Sequence, residues 1–194
     1  MSETRLLKKK LRVEALARRD RLDASYRIEV AMKLADEAGQ LDLDPGAVVS
    51  GFLPIRSELD IRPLMMALSA RGARLCVPAM IDRETVEFRA LVRGAPLIDN
   101  GFGTLAPPPD TELLSPGLML MPLAAFDRAG NRIGYGAGYY DRAIAALRAN
   151  GHRPRLVGMA FDCQEVDAVP AEAHDVPLHA MWTESGLRVL KNEP

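Results

Sequence analysis

Apolar positions recur along this chain with two spacings, four residues and two, and the switches between them predict its elements. Leu7, Leu11 and Ala15 recur four apart with Leu6 beside them, which predicts an amphipathic helix over residues 4–20. Lys8 and Arg12 are also four apart and share a different face of it. A second helix is predicted from about Ser25, with Ile28, Ala31, Ala35 and Ala38 as its apolar stripe and Gly39 as its stop. Ala47 to Leu53 is β-branched and apolar up to Pro54, the pattern of a buried strand. A polar turn follows over 55–60, then a short helix over 61–71 stopped by Gly72, with Asp60 as its cap. Strands are predicted at 74–77, ended by Pro78, and at 85–92, hairpin-paired near an edge. Residues 94–116 carry Pro107-Pro108-Pro109 and read as a loop long enough to be functional. The remainder reads as a buried strand at 118–125, a loop at 127–141, a helix to about Ala149 and a strand at 156–161. An acidic loop at 162–178 and one or two short strands at 179–190 complete the chain.

Strands alternating with helices predict an α/β fold with a mainly parallel sheet covered on both faces. Ligands of such sheets bind beyond the carboxyl ends of the strands. The loops at 54–60, 127–141 and 162–178 all follow strands, so they are placed to converge on one site. A length of 194 residues fits one domain.

Composition narrows the function classes. Lys plus Arg number 25 against 26 Asp plus Glu, a net charge of −1, which removes the basic excess of a dedicated nucleic-acid binder. Aromatic residues are only 5%, few for the stacking platforms of single-strand binding. Residues 1–21 nevertheless hold eight Lys or Arg against three acids, a basic end on an acidic body. Cys76 and Cys163 lie far apart without zinc-type spacing, which points to a reducing compartment. Glu3, Glu14 and Asp20 interrupt the basic end and no apolar leader precedes it. The longest apolar run, 117–126, is broken by Pro122 and is too short to span a bilayer. A cytoplasmic protein without membrane partners is expected.

The strongest chemical signal is Arg132-Ile-Gly134-Tyr-Gly136-Ala-Gly138-Tyr-Tyr-Asp141-Arg142. Three glycines at alternate positions let the backbone turn sharply and present N–H groups, and a helix N-terminus follows at once. Together they read as a phosphate cradle. The chain has neither a P-loop nor the third glycine of the dinucleotide fingerprint. The same glycines would serve a mobile surface loop; Arg132, the tyrosines and Asp141 around them favour a ligand. Composition alone makes Lys8 and Arg12 a solvated basic face. Asp141 and Asp175 are a pair suited to magnesium, which takes one or two carboxylates plus phosphates, or else a helix-start charge and a turn residue. His174, Asp175 and His179 have no further His or Cys nearby, too few for a transition-metal set. Glu58 is either a turn acid or an acceptor for paired N–H donors of a heterocycle. No Ser-His-Asp or Cys-His set can be assembled.

The stretch from Met121 to Arg142 closely resembles the signature of the 5-formyltetrahydrofolate cyclo-ligase family. Lys8-x-x-x-Arg12, the Gly51-Phe-Leu-Pro turn with Glu58, and Pro170-x-x-x-His174-Asp175-Val-Pro extend the resemblance over nearly the whole chain. It implies a three-layer α/β/α sandwich of the sugar-isomerase and CoA-transferase-like type. It implies ATP contacts from Lys8, Arg12, Arg132, Ile133, Gly134, Tyr135, Gly136, Ala137, Gly138, Tyr139 and Tyr140. The reduced folate falls to Leu53, Glu58 and the segment from Tyr135 to Tyr139, and magnesium to Asp141 and Asp175. Arg132 and Tyr139 are the implied catalytic residues. The partners expected are the two small-molecule substrates, with no nucleic acid, and the chain is expected as a monomer or weak homodimer. Ala137 departs from a family Gly or Lys. His179 stands where an acid is common, at the expected lip of the metal site. A sugar-phosphate isomerase or CoA-transferase relative, which would need no ATP, and a nucleotide-responsive binding module that touches RNA through residues 5–21 are the alternatives.

Overall fold

The computed structural model describes residues 3–82, 84–101, 103–172 and 175–190. Its helices are α1 (Glu3–Asp20), α2 (Ala24–Asp36), α3 (Arg62–Ala70) and α4 (Tyr139–Ala149). The main strands are β1 (Val48–Ser50), β2 (Arg74–Met80), β3 (Val86–Ala90), β6 (Leu118–Pro122), β9 (Arg155–Met159), β10 (Ala180–Thr183) and β11 (Gly186–Val189). They form one seven-stranded sheet in the order β11-β10-β9-β6-β1-β2-β3. The five inner strands are parallel and the two edge strands antiparallel. Two small hairpins lie outside it: β4 (Ile98–Asp99) with β5 (Leu105–Ala106), and β7 (Ala125–Phe126) with β8 (Arg132–Ile133).

The inner strands have a core on each face because their side chains alternate. Leu118 and Leu120 of β6 join Val157, Met159, Ala180 and Trp182 under α2 and α3. Met119 and Met121 join Leu156 and Met181 under Ile144 and Leu147 of α4. Burying each such side chain contributes about 1.5–3 kcal/mol, which is why strands apolar on both sides sit at the centre.

The topology positions the site. From β1 the chain crosses through α3 to β2 on one side; from β6 it crosses through α4 to β9 on the other. Strands β1 and β6 are neighbours, so the strand order reverses between them. A crevice opens beyond their carboxyl ends at such a switch point.

Several expected boundaries shift. Strand β2 runs through Pro78 to Met80. Leu75 accepts from Leu91 and Ile81 donates to Thr85, so odd-numbered residues bond to β3. The missing N–H of Pro78 faces the other side, beyond the end of β1, and breaks no ladder. The strand expected at 118–125 stops at Pro122, and Ala125–Phe126 turn away to pair with β8. The loop at 94–116 contains the β4–β5 hairpin. In α2 the buried face is Val30, Ala31 and Leu34, while Ile28 is exposed. Asp23 caps α2 through the Ser25 N–H. Gly39 lies in a short 3₁₀ turn rather than at the stop. Asp60 accepts the Arg62 N–H at the start of α3, as expected. No helix of the described residues is long and apolar enough to cross a membrane.

Candidate active site

Helix α1 packs on neither face of the sheet. It lies across β7 and the 3₁₀ turn Asp162–Gln164, at the carboxyl-end side. Its inward face keeps only part of the expected stripe: Ala15 is buried and Leu11 half-buried against Ile133 and Val169, Leu6 and Leu7 are exposed, and Arg19 joins the buried side. Lys8, Arg12, Ala15 and Arg19 fall on one side by their spacing of four, three and four. The face is cationic because it meets loops rather than a core. Lys8 Nζ donates to Glu172 and Asp175, each at 2.7 Å. Burial works against the Lys8 charge, but the two carboxylates outweigh it and hold its pKa above the ordinary lysine value. Arg12 Nε donates to the Gly134 carbonyl at 2.7 Å. Arg19 Nε donates to Ser57 Oγ at 3.0 Å and its Nη1 to the Tyr135 hydroxyl at 2.9 Å.

The glycine-rich loop runs from β8 into α4. Gly136 has φ +99°, and a Cβ there would touch the Arg12 guanidinium at 3.4 Å, so the backbone conformation is what makes a side chain strained there. Gly138 caps α4 in the left-handed region at φ +69°. Gly134, Tyr135, Gly136 and Ala137 are exposed, which leaves the loop facing outward above the N-terminus of α4. Tyr139 lies under the Arg142 guanidinium, 5.1 Å from its ring centre. The Ile133 side chain packs with Ala15, Ala125 and Val169, and its carbonyl accepts from Ala124. Its side chain thus belongs to the scaffold. Tyr140 packs against the core under α4, and burial pushes its hydroxyl pKa up.

Glu58 stands in the turn after β1, 7% exposed. Its Oε2 accepts the Ile55 N–H at 2.9 Å, and the Tyr135 hydroxyl also bonds to it. Burial pushes its pKa up; the Ile55 and Tyr135 bonds and the charges of Arg19 and Arg56 work the other way without cancelling it. Leu53, one turn earlier, packs against the larger core.

Arg132 joins the remaining parts. Its Nη2 donates to Asp141 at 2.6 Å and its Nη1 to the Val176 carbonyl. Asp141, in the first turn of α4, is thereby linked to the segment that carries Asp175. Asp175 also accepts the Glu172 N–H at 2.8 Å, so it is a turn residue and an ion-pair partner together. The loops at 54–60, 127–141 and 162–178 do converge, and α1 touches all three.

His179 is not at the lip of this cluster. It is buried at the start of β10, and its Nδ1 accepts the Leu156 N–H at 2.7 Å. That is the amino end of β9, opposite the site, and it excludes Nδ1 as a metal ligand. His174 lies outside the described residues.

Three structurally important polar residues escaped the sequence reading. Arg19 was detectable as the seventh residue after Arg12, on the same helical face. Buried Asp127 accepts from the N–H groups of Ala129, Asn131 and Val169 and from the Asn131 amide. Its Asp-x-x-Gly-Asn run is a turn signal that was available. Gln164 Nε2 donates to the Leu123 and Ala124 carbonyls, holding the chain where it leaves β6; no sequence signal marks it.

Comparison with known proteins identifies the family of the chain. The model of the 5-formyltetrahydrofolate cyclo-ligase family matches residues 5–184. A 5-formyltetrahydrofolate cyclo-ligase of Escherichia coli K12 is 33% identical over 143 residues, covering 71% of this chain and 78% of the relative. The enzyme of that name in Mycolicibacterium smegmatis is 30% identical over 155 residues, covering 75% and 78%. The solution structure of Aquifex aeolicus 5,10-methenyltetrahydrofolate synthetase superposes with a TM-score of 0.78 at 27% identity, covering 97% of this chain and 95% of that one. With its fold, its loop convergence and a family match over nearly its full length, the chain belongs to the 5-formyltetrahydrofolate cyclo-ligase family.

Proposed function

We propose that this protein converts 5-formyltetrahydrofolate and ATP to 5,10-methenyltetrahydrofolate, ADP and phosphate. Family membership supports the cyclo-ligase activity. The observation that carries the ATP-dependent form is a set of cations around an outward-facing glycine loop at a helix N-terminus: Arg12 bonds to Gly134 within the loop, Arg132 precedes it and bonds to Asp141 and the Val176 carbonyl, and Lys8 bonds to the adjoining Asp175. Cations, turned backbone N–H groups and a helix start are the parts a polyphosphate needs.

The formyl group on nitrogen-5 is an amide and a poor electrophile. Attack of its oxygen on the γ-phosphorus of ATP releases ADP and makes that oxygen a leaving group. Nitrogen-10 then bonds to the formyl carbon and loses its proton. Phosphate departs with the former formyl oxygen, and the methenyl bridge remains. Such a route asks the protein for orientation and charge stabilisation rather than a nucleophile. Lys8, Arg12, Arg132 and the backbone from Gly134 to Tyr140 would hold the phosphates. Arg132 and Tyr139 would stand nearest the transferred group. Leu53, Glu58 and the segment from Tyr135 to Tyr139 would hold the folate, with Glu58 accepting from the ring N–H and exocyclic amine of the pterin.

The donor set fits magnesium. Asp141 and Asp175 each bond to a cation suited to phosphate, Arg132 and Lys8, at 2.6 and 2.7 Å. A metal on the carboxylates and phosphates on the cations would replace these pairs charge for charge. When bound, magnesium would offset the charge of the β- and γ-phosphates.

The test is to mix the protein with 5-formyltetrahydrofolate and MgATP alone. Appearance of the methenyl chromophore with equimolar ADP is expected. Product without ATP would favour isomerase-type chemistry, and no product would refute the reading.

A further inference from the structure

Arg19 has no part in the chemistry above, yet it is a 1% exposed cation at the centre of the site. Burying a guanidinium costs several kcal/mol of hydration, so its partners must repay it through well-formed bonds. Those partners come from two separate loops. Ser57, beside Glu58 in the turn after β1, accepts from Nε; Tyr135, in the loop after β8, accepts from Nη1. The Ser57 hydroxyl in turn donates to Asp20. The Tyr135 hydroxyl bonds to Glu58. Arg19 thus holds Tyr135, which bonds to Glu58, and also Ser57, the chain neighbour of Glu58, so one guanidinium ties both loops together. Both loops have left the sheet at this point, so strand pairing no longer fixes one against the other.

We propose that Arg19 is a positioning residue for the folate half of the site, its two-pronged guanidinium setting the Glu58 turn against Tyr135 of the glycine-rich loop. The proposal rests on Glu58 as the carboxylate that recognises the pterin. Two roles follow from the geometry. The fork fixes where the Glu58 carboxylate stands. Its charge also opposes the burial that favours protonated Glu58. Only the ionised carboxylate is purely an acceptor, which an edge of N–H donors requires. The other groups that face Glu58 are Arg56 from its own turn, Tyr135 from the loop and Tyr140 from α4. None of them is a cation from α1, so removing Arg19 leaves the charge of Arg56 and the Ile55 and Tyr135 bonds to favour ionisation.

The experiment measures calorimetric binding of 5-formyltetrahydrofolate and, separately, of a non-hydrolysable MgATP analogue, across acid to neutral pH. It compares wild type with Arg19→Gln, Arg19→Lys and Glu58→Gln. Arg19→Gln should weaken folate binding on the order of 10-fold, as loss of a charge-assisted bond does, and change analogue binding by less than about 2-fold. Its acid limb for folate binding should move to higher pH. Arg19→Lys keeps the charge but not the fork, so its limb should stay in place while neutral-pH affinity remains reduced. A purely scaffolding Arg19 would instead weaken both ligands alike or only lower the melting temperature, with the limb unmoved, and either result would overturn the proposal. If Arg19→Gln does not fold, Arg19→Lys decides: reduced neutral-pH folate affinity beside unchanged analogue binding supports the positioning role, and wild-type folate affinity overturns it. Glu58→Gln separates the two levels. Folate loss there beside a wild-type Arg19→Gln overturns the Arg19 role alone. Wild-type folate binding by Glu58→Gln removes the Glu58 reading and the Arg19 role with it.

Discussion

Lys8 and Asp175 are 167 positions apart in sequence, and their charged atoms are 2.7 Å apart. The pair ties α1, which carries Lys8, to the acidic loop, which carries Asp175. Glu172 bonds to the same ammonium, so the lysine already holds the negative charge that a phosphate would bring.

Lys8→Ala should keep the fold, because Lys8 Nζ lies at the rim and its helix is anchored by Ala15 and Arg19. Losing a charge-assisted contact of about 1.5–3 kcal/mol should lower kcat/KM for ATP roughly 10- to 100-fold. Initial rates against ATP concentration check this. Normal ATP kinetics would make the Lys8 pairs a surface clasp.

Asp141→Asn tests the second pair. The Arg132 side chain is only 7% exposed, so loss of its carboxylate partner should lower stability by roughly 1–3 kcal/mol. If Asp141 also holds magnesium, the activity that remains should need a higher magnesium concentration. Titrating magnesium in the assay, beside a thermal melt, separates the roles. A lower melting temperature with an unchanged magnesium requirement would leave Asp141 as the Arg132 partner and helix-start charge.

Glu58 should make stability pH-dependent in a definite direction. Its pKa is raised in the folded protein by burial, so the folded state binds more protons than the unfolded chain above the ordinary glutamate range. Its contribution is therefore complete at low pH and is lost as pH rises through the raised value. Denaturant unfolding of Glu58→Gln, followed over that window, should show a shallower fall with rising pH than wild type. Parallel curves for the two proteins would show that the carboxyl is not perturbed.

His179→Ala should remove the acceptor for the buried Leu156 N–H and lower stability by about 1–3 kcal/mol. Its magnesium requirement should match wild type, because the residue sits at the opposite end of the sheet. A changed requirement would return His179 to the metal site.

The legible parts of this molecule were those where local pattern and tertiary role agree. The apolar runs at 118–121 and 156–159 are buried on both faces and became central parallel strands. Gly136 and Gly138 take positive φ and shape the loop as their spacing suggested. The misread parts are those where a helix faces something other than a core. Periodicity pointed to Leu7 on α1, yet the buried face carries Arg19, since that face meets the polar groups of three loops. The resemblance put His179 at the lip of the metal site; that the chain has by then reached the amino end of β9 was not visible in the sequence.

Transfer of the formyl oxygen tests the mechanism most directly. A single turnover with 5-formyltetrahydrofolate carrying heavy oxygen in its formyl group should place that oxygen in the released phosphate, with one ADP per methenyl product. Unlabelled phosphate, or AMP with pyrophosphate, would contradict phosphorylation of the formyl oxygen even if the methenyl chromophore appeared.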